Sequence, residues 1–249
     1  MRKRILVTGG AKGVGAAIVQ TLAVAGYDVD FTYRNSGQEA EALIAALKAN
    51  APDARVTAQQ LDLAETGSLE IFAEALEDEP YWGLVHNAGQ PYDVLAAMMA
   101  QDKAEAAMQV NFWSLTRLAK SVIRGMIRAR GGRIAVIGSV AALQGNPGNA
   151  AYAASKGALL SYCRTLAIES AKRGITVNYV APGFIDTEMM TPYAAYRTKM
   201  ETQIPAGRFA APGDVAALVG FLMGPGAGYI TGAVLPVDGG LSAMIGVHR

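Results

Sequence analysis

The stretch "RILVTGGAKGVG", residues 4–15, decides the fold. Its first half is a short aliphatic and β-branched run, which is typical of a buried strand. Its second half is rich in glycine and opens the segment "VGAAIVQTLAVAG", whose apolar residues recur at helical spacing. Glycines in a strand-to-helix turn let the backbone approach a pyrophosphate, whose charge is stabilised at the helix amino terminus. The stretch predicts the first unit of a nucleotide-binding sheet.

The glycine-rich turn "TGGAKGVG", residues 8–15, has a second interpretation. Its spacing is not GxGxxG, and no Gly-Lys-Ser/Thr follows, which disfavours a P-loop. Taken alone, the turn is also explained by ordinary turn chemistry. The strand before it and the helix after it favour nucleotide binding.

The rest of the chain repeats this alternation of short strand-like runs and helix-length segments. The further strand-like runs are "YDVDFTYR", "RVTAQQLD", "WGLVHNAG", "GRIAVIGS", "GITVNYVAPG" and "GAVLPVDGG". Such alternation predicts right-handed crossovers and a parallel sheet. We expect one doubly wound α/β domain over residues 1–249, with seven parallel strands and helices on both faces. A helix is expected from about Gln101 to Arg130, and an irregular lid or substrate loop at about 185–208.

Composition narrows the class of protein. The chain has 249 residues, 51% of them hydrophobic and 17% charged, and its net charge is +1. That balance gives no electrostatic footprint for nucleic acid or an anionic membrane. Cys163 is the only cysteine, which suits a reducing compartment. No apolar run approaches the ~20 residues of a membrane span, and the first one is too short for a signal peptide. We expect a cytoplasmic protein.

His86 and His248 lack neighbouring acids or cysteines, so no metal site is expected.

The end of the second strand indicates which dinucleotide fits. An acid there would bind the adenosine ribose, whereas an arginine accommodates a 2′-phosphate. The strand ends in Tyr33, Arg34 and Asn35, with no carboxylate, and Asp30 lies within the strand. Lys12 adds a cation in the glycine-rich turn. These residues favour NADP over NAD. The alternative is that Arg34 is an ordinary solvated loop cation.

Tyr152 and Lys156 lie four residues apart in "AAYAASKGALL", so a helix places them one turn apart on one face. Reduction of a ketone leaves an alkoxide that needs a proton. A free phenol, with a pKa near ~10, is too weak an acid for that role. A neighbouring ammonium favours the phenolate and lowers this pKa. Ser139, just after "RIAVIG", can orient the substrate oxygen. Each residue alone has a structural explanation; together, beside a dinucleotide turn, they favour catalysis.

The order of these motifs resembles the short-chain dehydrogenase/reductase family. The family pattern is TGxxxGxG, NNAG, Asn, Ser, YxxxK and PG. Its counterparts here are "TGGAKGVG", "HNAG" (86–89), Asn111, Ser139, "YAASK" (152–156) and "PGFIDT" (182–187). The resemblance covers essentially the whole chain. "GITVNYVAPGFIDTEM" and "GYITGAVLPVDGG" are most similar to the 3-oxoacyl-acyl-carrier-protein reductases. Two departures are that His86 replaces the first Asn of NNAG, and that Gly138 stands where those reductases often have a second Ser.

The resemblance implies a catalytic tetrad of Asn111, Ser139, Tyr152 and Lys156. In it, Asn111 holds a water that connects Lys156 to solvent, and Lys156 also bonds the nicotinamide ribose. Combined with the glycine-rich turn and the second strand end, it predicts a cofactor site of Gly9, Lys12, Gly13, Val14, Gly15, Tyr33, Arg34, Asn35, Asp62, Leu63, Asn87, Ala88, Gly89, Tyr152, Lys156, Pro182, Gly183, Ile185 and Thr187.

The activity that the resemblance implies is NADPH-dependent reduction of a 3-oxoacyl thioester in fatty-acid biosynthesis, by a homotetramer. Arg130 and Arg173 would dock an acidic acyl carrier protein, although cations at helix carboxyl ends are also ordinary dipole partners. A reductase of a free alcohol, sugar, steroid or other small ketone is the alternative, because many such enzymes share these motifs. A non-enzymatic nucleotide-sensing scaffold is disfavoured, because Ser139, Tyr152 and Lys156 are all present.

Overall fold

The computed structural model describes residues 2–244. Its centre is one sheet of seven parallel strands in the order β3-β2-β1-β4-β5-β6-β7. The strands are β1 (Arg4–Thr8), β2 (Asp28–Tyr33), β3 (Val56–Gln60), β4 (Tyr81–His86), β5 (Gly132–Ile137), β6 (Ile175–Pro182) and β7 (Val234–Val237). The predicted seven-stranded doubly wound sheet is confirmed.

Helices alternate with the strands along the chain. The α-helices are α1 (Gly13–Val24), α2 (Gly37–Asn50), α3 (Thr66–Ala75), α4 (Gln101–Met108), α5 (Ser114–Ala129), α6 (Ala150–Ser170), α7 (Arg197–Glu201) and α8 (Pro212–Met223). Across residues 2–244, every helix is either too short or too polar to cross a membrane.

Two apolar cores lie on the two faces of the sheet, because successive side chains of a strand point to opposite sides. On β1, Leu6 packs toward α3, α5 and α6, whereas Ile5 and Val7 pack toward α1, α2 and α8. All three side chains are at most 1% exposed. Burial on both faces explains why β1 reads as a continuous aliphatic run rather than an alternating one.

The order of the strands locates the ligand site. The chain runs outward from β1 through β2 to β3 and then returns to β4 on the other side of β1. At such a switch point the loops after neighbouring strands diverge and leave a crevice at the carboxyl edge of the sheet. Thr8 and His86, the last residues of β1 and β4, are paired neighbours at this edge.

Two segments differ from the expected elements. The helix expected from Gln101 to Arg130 is interrupted by a π-helical turn at Gln109–Trp113, between α4 and α5. The segment expected to be irregular at 185–208 contains a 3₁₀ helix, Glu188–Tyr196, followed directly by α7. A hydropathy pattern shows which residues of a helix are apolar and not whether a backbone N–H bonds four or five residues back, so the wide turn was not predicted.

Candidate active site

A cavity of about 800 Å³ lies at the carboxyl edge of the sheet, over the switch point between β1 and β4. It brings together nearly all of the site residues expected from the sequence, including Ser139, Tyr152 and Lys156. Asn35 and Asn111 do not line it. Glu188, Met189 and Met190, from the segment 185–208 expected to form the lid, also line the cavity, together with residues that the sequence reasoning did not include, namely Ala11, Ala16, Thr32, Glu39, Leu61, Gln90, Pro91, Val110, Ile137 and Gly138.

The glycine-rich turn forms the floor of this cavity and is held by Asn87. The Asn87 side-chain amide donates to the backbone carbonyl of Gly9 at 2.9 Å. A Cβ atom at Gly15 would lie 1.9 Å from that same carbonyl oxygen and 2.7 Å from Asn87 Nδ2. Helix α1 can therefore begin this close to the end of β1 only with glycine at position 15, which explains the glycine at the end of the motif.

Tyr152 and Lys156 lie one turn apart near the start of α6, as their spacing predicts. Lys156 is 3% exposed, and its Nζ donates to the backbone carbonyl of Ile137 at 2.9 Å. The same nitrogen lies 5.7 Å from the centre of the Tyr152 ring. Burial lowers the pKa of the Lys156 ammonium to about 8, because a desolvated cation is disfavoured.

The pKa of Tyr152 differs from the sequence expectation. Burial of the phenol raises this pKa to about 12, since the phenolate would lose its hydration. A hydrogen-bonding contact with Ser139 acts in the opposite direction, and the carboxylate of Asp93 adds to the rise. The expected lowering by Lys156 is not among these effects. In the protein alone, desolvation therefore outweighs the hydrogen bond from Ser139.

Ser139 follows β5 and is held from two sides. Its backbone N–H donates to the Tyr179 hydroxyl at 2.9 Å, and its own Oγ accepts from the backbone N–H of Ala141 at 3.1 Å. The Tyr179 hydroxyl in turn donates toward a backbone carbonyl, that of Ser139 or of Lys156, each 3.2 Å away. The Ser139 and Tyr152 hydroxyl groups both line the cavity, where the contact between them favours the Tyr152 phenolate.

Asn111 lies behind the cavity wall, in the π-helical turn. Its Nδ2 donates to the Gln90 carbonyl at 3.0 Å and to Ser155 Oγ at 2.8 Å, and its Oδ1 accepts from Gln90 N at 2.7 Å. The side chain thus ties the loop after β4 to helix α6. Wide helical turns of this kind are frequent at functional sites.

His86 is the residue whose function sequence reasoning missed. It is fully buried, with Nδ1 3.1 Å from Thr8 Oγ1 and Nε2 3.1 Å from the Asn111 carbonyl oxygen. Thr8 Oγ1 accepts from the backbone N–H groups of Asn87 and Ala88, so its own hydrogen is directed to His86 Nδ1. The proton of the neutral ring then resides on Nε2, which donates to Asn111. Burial, followed by the charge of Lys156, lowers the His86 pKa to about 3. The departure from NNAG was its only signal.

The segment after β6 is tied across the mouth of the cavity by Asp93. The Tyr193 hydroxyl donates to one carboxylate oxygen of Asp93, and Asn149 Nδ2 donates to the other at 2.5 Å. Asn149 directly precedes α6. Met189 and Met190, from the same segment as Tyr193, line the cavity.

Other expected features lie away from the cavity. Arg130 caps the end of α5 and Arg173 ends a 3₁₀ helix after α6, so both precede strands, at the amino-terminal edge of the sheet. Among residues 2–244, no group of three histidines, cysteines or acids could hold a metal ion. His248 lies outside these residues.

Comparisons with known proteins agree with this geometry. A family model described as "Enoyl-(Acyl carrier protein) reductase" matches residues 9–242. The 3-oxoacyl-acyl-carrier-protein reductase of Vibrio cholerae is 40% identical over 243 residues, covering 96% of this chain and 97% of that protein. A short-chain dehydrogenase/reductase from Serratia marcescens superposes with a TM-score of 0.89 at 36% identity, covering 96% and 98%. Actinorhodin polyketide ketoreductase, a structure with NADPH, also gives 0.89, at 28% identity and 98% of each chain.

Proposed function

The chain belongs to the short-chain dehydrogenase/reductase family, whose members are oxidoreductases that use a nicotinamide cofactor, and we propose that it reduces 3-oxoacyl thioesters on acyl carrier protein with NADPH. The product is the 3-hydroxyacyl thioester. One observation carries the proposal: Ser139, Tyr152 and Lys156 share a single cavity with the glycine-rich turn. The substrate class comes from the names of the relatives, such as the Vibrio cholerae enzyme.

Tyr152 and Ser139 perform the oxygen chemistry of this reaction. The cofactor, when bound, supplies the hydride that the carbonyl carbon receives. As the carbonyl oxygen becomes an alkoxide, the Tyr152 hydroxyl transfers its proton to it, and the Ser139 hydroxyl donates a hydrogen bond that orients and stabilises that oxygen. The bond from Ala141 N–H occupies one lone pair of the Ser139 oxygen and leaves the hydroxyl group its one donor.

Lys156 and Asn111 support the proton donor. The ammonium of Lys156, one turn from Tyr152, favours the phenolate that remains after proton transfer. The side-chain amide of Asn111 already bonds Gln90 and Ser155. Asn111 Oδ1 accepts one bond, from Gln90 N–H, and keeps a lone pair for a water that serves Lys156.

Reduction at a carbonyl is favoured over reduction of a carbon–carbon double bond, the reaction named by the family model. Enoyl reduction delivers its proton to a carbon atom, whereas carbonyl reduction delivers it to an oxygen. Two hydroxyl groups that meet in one cavity, Ser139 and Tyr152, suit an oxygen. A free small ketone uses the same chemistry, so it remains the second candidate substrate.

NADPH is favoured over NADH by the charges near the end of β2. Lys12 and Arg34 line the cavity there. Asp30, the nearest acid on that strand, is 8% exposed and accepts hydrogen bonds from Arg4, Thr57 and Tyr81. It is therefore engaged within the sheet and is not available to a ribose hydroxyl.

Docking of the carrier protein requires a second copy of the chain. Arg130 and Arg173 lie at the edge of the sheet opposite Tyr152. A carrier bound at these arginines would therefore serve the cavity of a neighbouring subunit in the proposed homotetramer.

Residues 1–249 form one cytoplasmic reductase domain in this proposal, and the segment 185–208 covers the substrate.

The test is NADPH oxidation with four substrates at equal concentration. They are acetoacetyl thioesters of carrier protein and of coenzyme A, crotonyl-coenzyme A and a panel of free ketones. We expect the carrier-bound acetoacetyl group to give the highest kcat/KM, and crotonyl-coenzyme A to give none. Faster turnover of crotonyl-coenzyme A would overturn carbonyl reduction, and faster turnover of a free ketone would overturn the thioester assignment.

A further inference from the structure

Lys12, a cation of the proposed NADPH site, is bound by two carboxylates. Its Nζ lies 2.6 Å from Glu39 Oε1 and 3.4 Å from Glu188 Oε2. Glu39 belongs to the first turn of α2, and Glu188 begins the 3₁₀ helix after β6. All three side chains line the cavity. The hydrogen bond from Lys12 lowers the pKa of the Glu39 carboxyl, so Glu39 is negatively charged near neutral pH.

The position of Glu39 directs the ammonium toward the adenosine end of the cavity. Helix α2 starts four residues after the last residue of β2, and Arg34 lies in the loop between them. The ion pair with Glu39 therefore holds the Lys12 ammonium near the strand end at which an NADP 2′-phosphate is recognised. A negative carboxylate at the first turn of α2 is itself stabilised by the helix dipole.

We propose that Glu39 and Glu188 compete with the 2′-phosphate of NADPH for Lys12, and so reduce the preference of the protein for NADPH over NADH. The inference rests on the proposed NADPH site. Both ion pairs are exposed: the side chains of Lys12, Glu39 and Glu188 are 41%, 45% and 82% accessible. Exposed pairs of this kind are weak, so a phosphate with nearly two negative charges displaces them. NADH carries no such phosphate and leaves the pairs intact.

Displacement also acts on the segment that covers the cavity. Glu188 follows Thr187, whose methyl group would lie 3.2 Å from a Cβ atom at Gly13, so this segment rests directly on the glycine-rich turn. The bond from Lys12 to Glu188 is the ionic contact between the two. Loss of that contact when the phosphate takes Lys12 leaves Glu188 to the solvent.

The test compares dissociation constants of NADPH and NADH, measured by cofactor fluorescence, for the wild type and Glu39→Gln. The substitution keeps the shape of the side chain and removes its charge. We expect NADPH to bind about two- to fivefold more tightly and NADH to be unchanged. Glu41→Gln is the matched control, because Glu41 is an exposed acid on the same helix with no ion pair in the described residues. Glu188→Gln should act in the same direction as Glu39→Gln.

A double-mutant cycle with Lys12→Ala separates competition from simple repulsion. In the Lys12→Ala background, Glu39→Gln should leave NADPH affinity unchanged, because nothing remains to compete for. An equal gain with and without Lys12 would overturn the proposal, as would equal tightening of NADPH and NADH or no tightening of either. A wild type that prefers NADH contradicts the proposed cofactor instead. The competition is still tested in that case, because its readout is the change in the NADPH to NADH ratio.

Discussion

The ring of Tyr179 fills the space that a side chain at position 138 would need. A Cβ atom on Gly138 would lie 1.7 Å from Tyr179 Cζ and 2.0 Å from its hydroxyl oxygen. The same hydroxyl accepts the backbone N–H of Ser139. Gly138 stands where the resembling reductases often have a serine, and it leaves room for the ring of Tyr179 on β6. Together the two residues hold the loop that carries Ser139.

Gly138→Ser should destabilise the fold, because the new Cβ overlaps a buried ring. Overpacking of a core costs about 1–3 kcal/mol or more, so we expect a lower midpoint of thermal unfolding together with reduced kcat. The double variant Gly138→Ser/Tyr179→Val should recover the unfolding midpoint but not full activity, because Ser139 N–H has lost its partner. A single variant as stable as the wild type would contradict this relationship.

Tyr152→Phe should remove most turnover while leaving cofactor affinity within a few-fold of the wild type. Removal of a positioned general acid costs on the order of 10²- to 10⁴-fold in rate. Stopped-flow NADPH oxidation and fluorescence titration measure the two quantities separately. Tyr229→Phe, at a fully exposed tyrosine outside the segment 185–208, is the control and should behave as the wild type. Near-normal turnover of Tyr152→Phe would remove the tyrosine from the mechanism.

The rate should fall as the pH rises through the pKa of Lys156. Burial lowers this pKa to about 8, so the ammonium is present below that pH and is lost above it. Tyr152, with a pKa of about 12 in the protein alone, stays protonated across the same range and adds no limb of its own. We expect kcat/KM to decline above about pH 8 in a profile from pH 6 to 10. A flat profile to pH 10 would show that a charged Lys156 is not required.

His86 should make the fold sensitive to acid. Its pKa is about 3 in the folded protein, against an ordinary value of 6.5, so the unfolded chain binds the proton more readily. The stability associated with the neutral ring is complete above pH 6.5 and is lost as the pH falls toward 3. His86→Asn, which restores the residue of the family pattern, should flatten the dependence of urea unfolding on pH between 6.5 and 4. An unchanged slope would mean that His86 does not contribute to it.

Patterns of neighbouring residues were enough to predict the sheet and the glycine-rich turn, whereas most of the other cavity residues were predicted from the resemblance to short-chain dehydrogenase/reductases. Strand order along the chain, the glycine-rich turn and the four-residue spacing of Tyr152 and Lys156 are local properties. They are set by backbone sterics and side-chain periodicity within a few residues. The predicted cofactor residues, most of them implied by the resemblance, nearly all line one cavity, because the loops after parallel strands meet at one edge of the sheet.

Only the tertiary structure decided which side chains from distant segments contact one another in the site. Three contacts join residues that are far apart in sequence. They are the hydrogen bonds of His86 with Thr8 and Asn111, the ion pairs of Lys12 with two carboxylates, and the packing of the Tyr179 ring against Gly138. The pKa of Tyr152 belongs to the same class. Its direction depends on the balance between desolvation and the hydrogen bond with Ser139, and that balance exists only once the packed protein has removed water from the site.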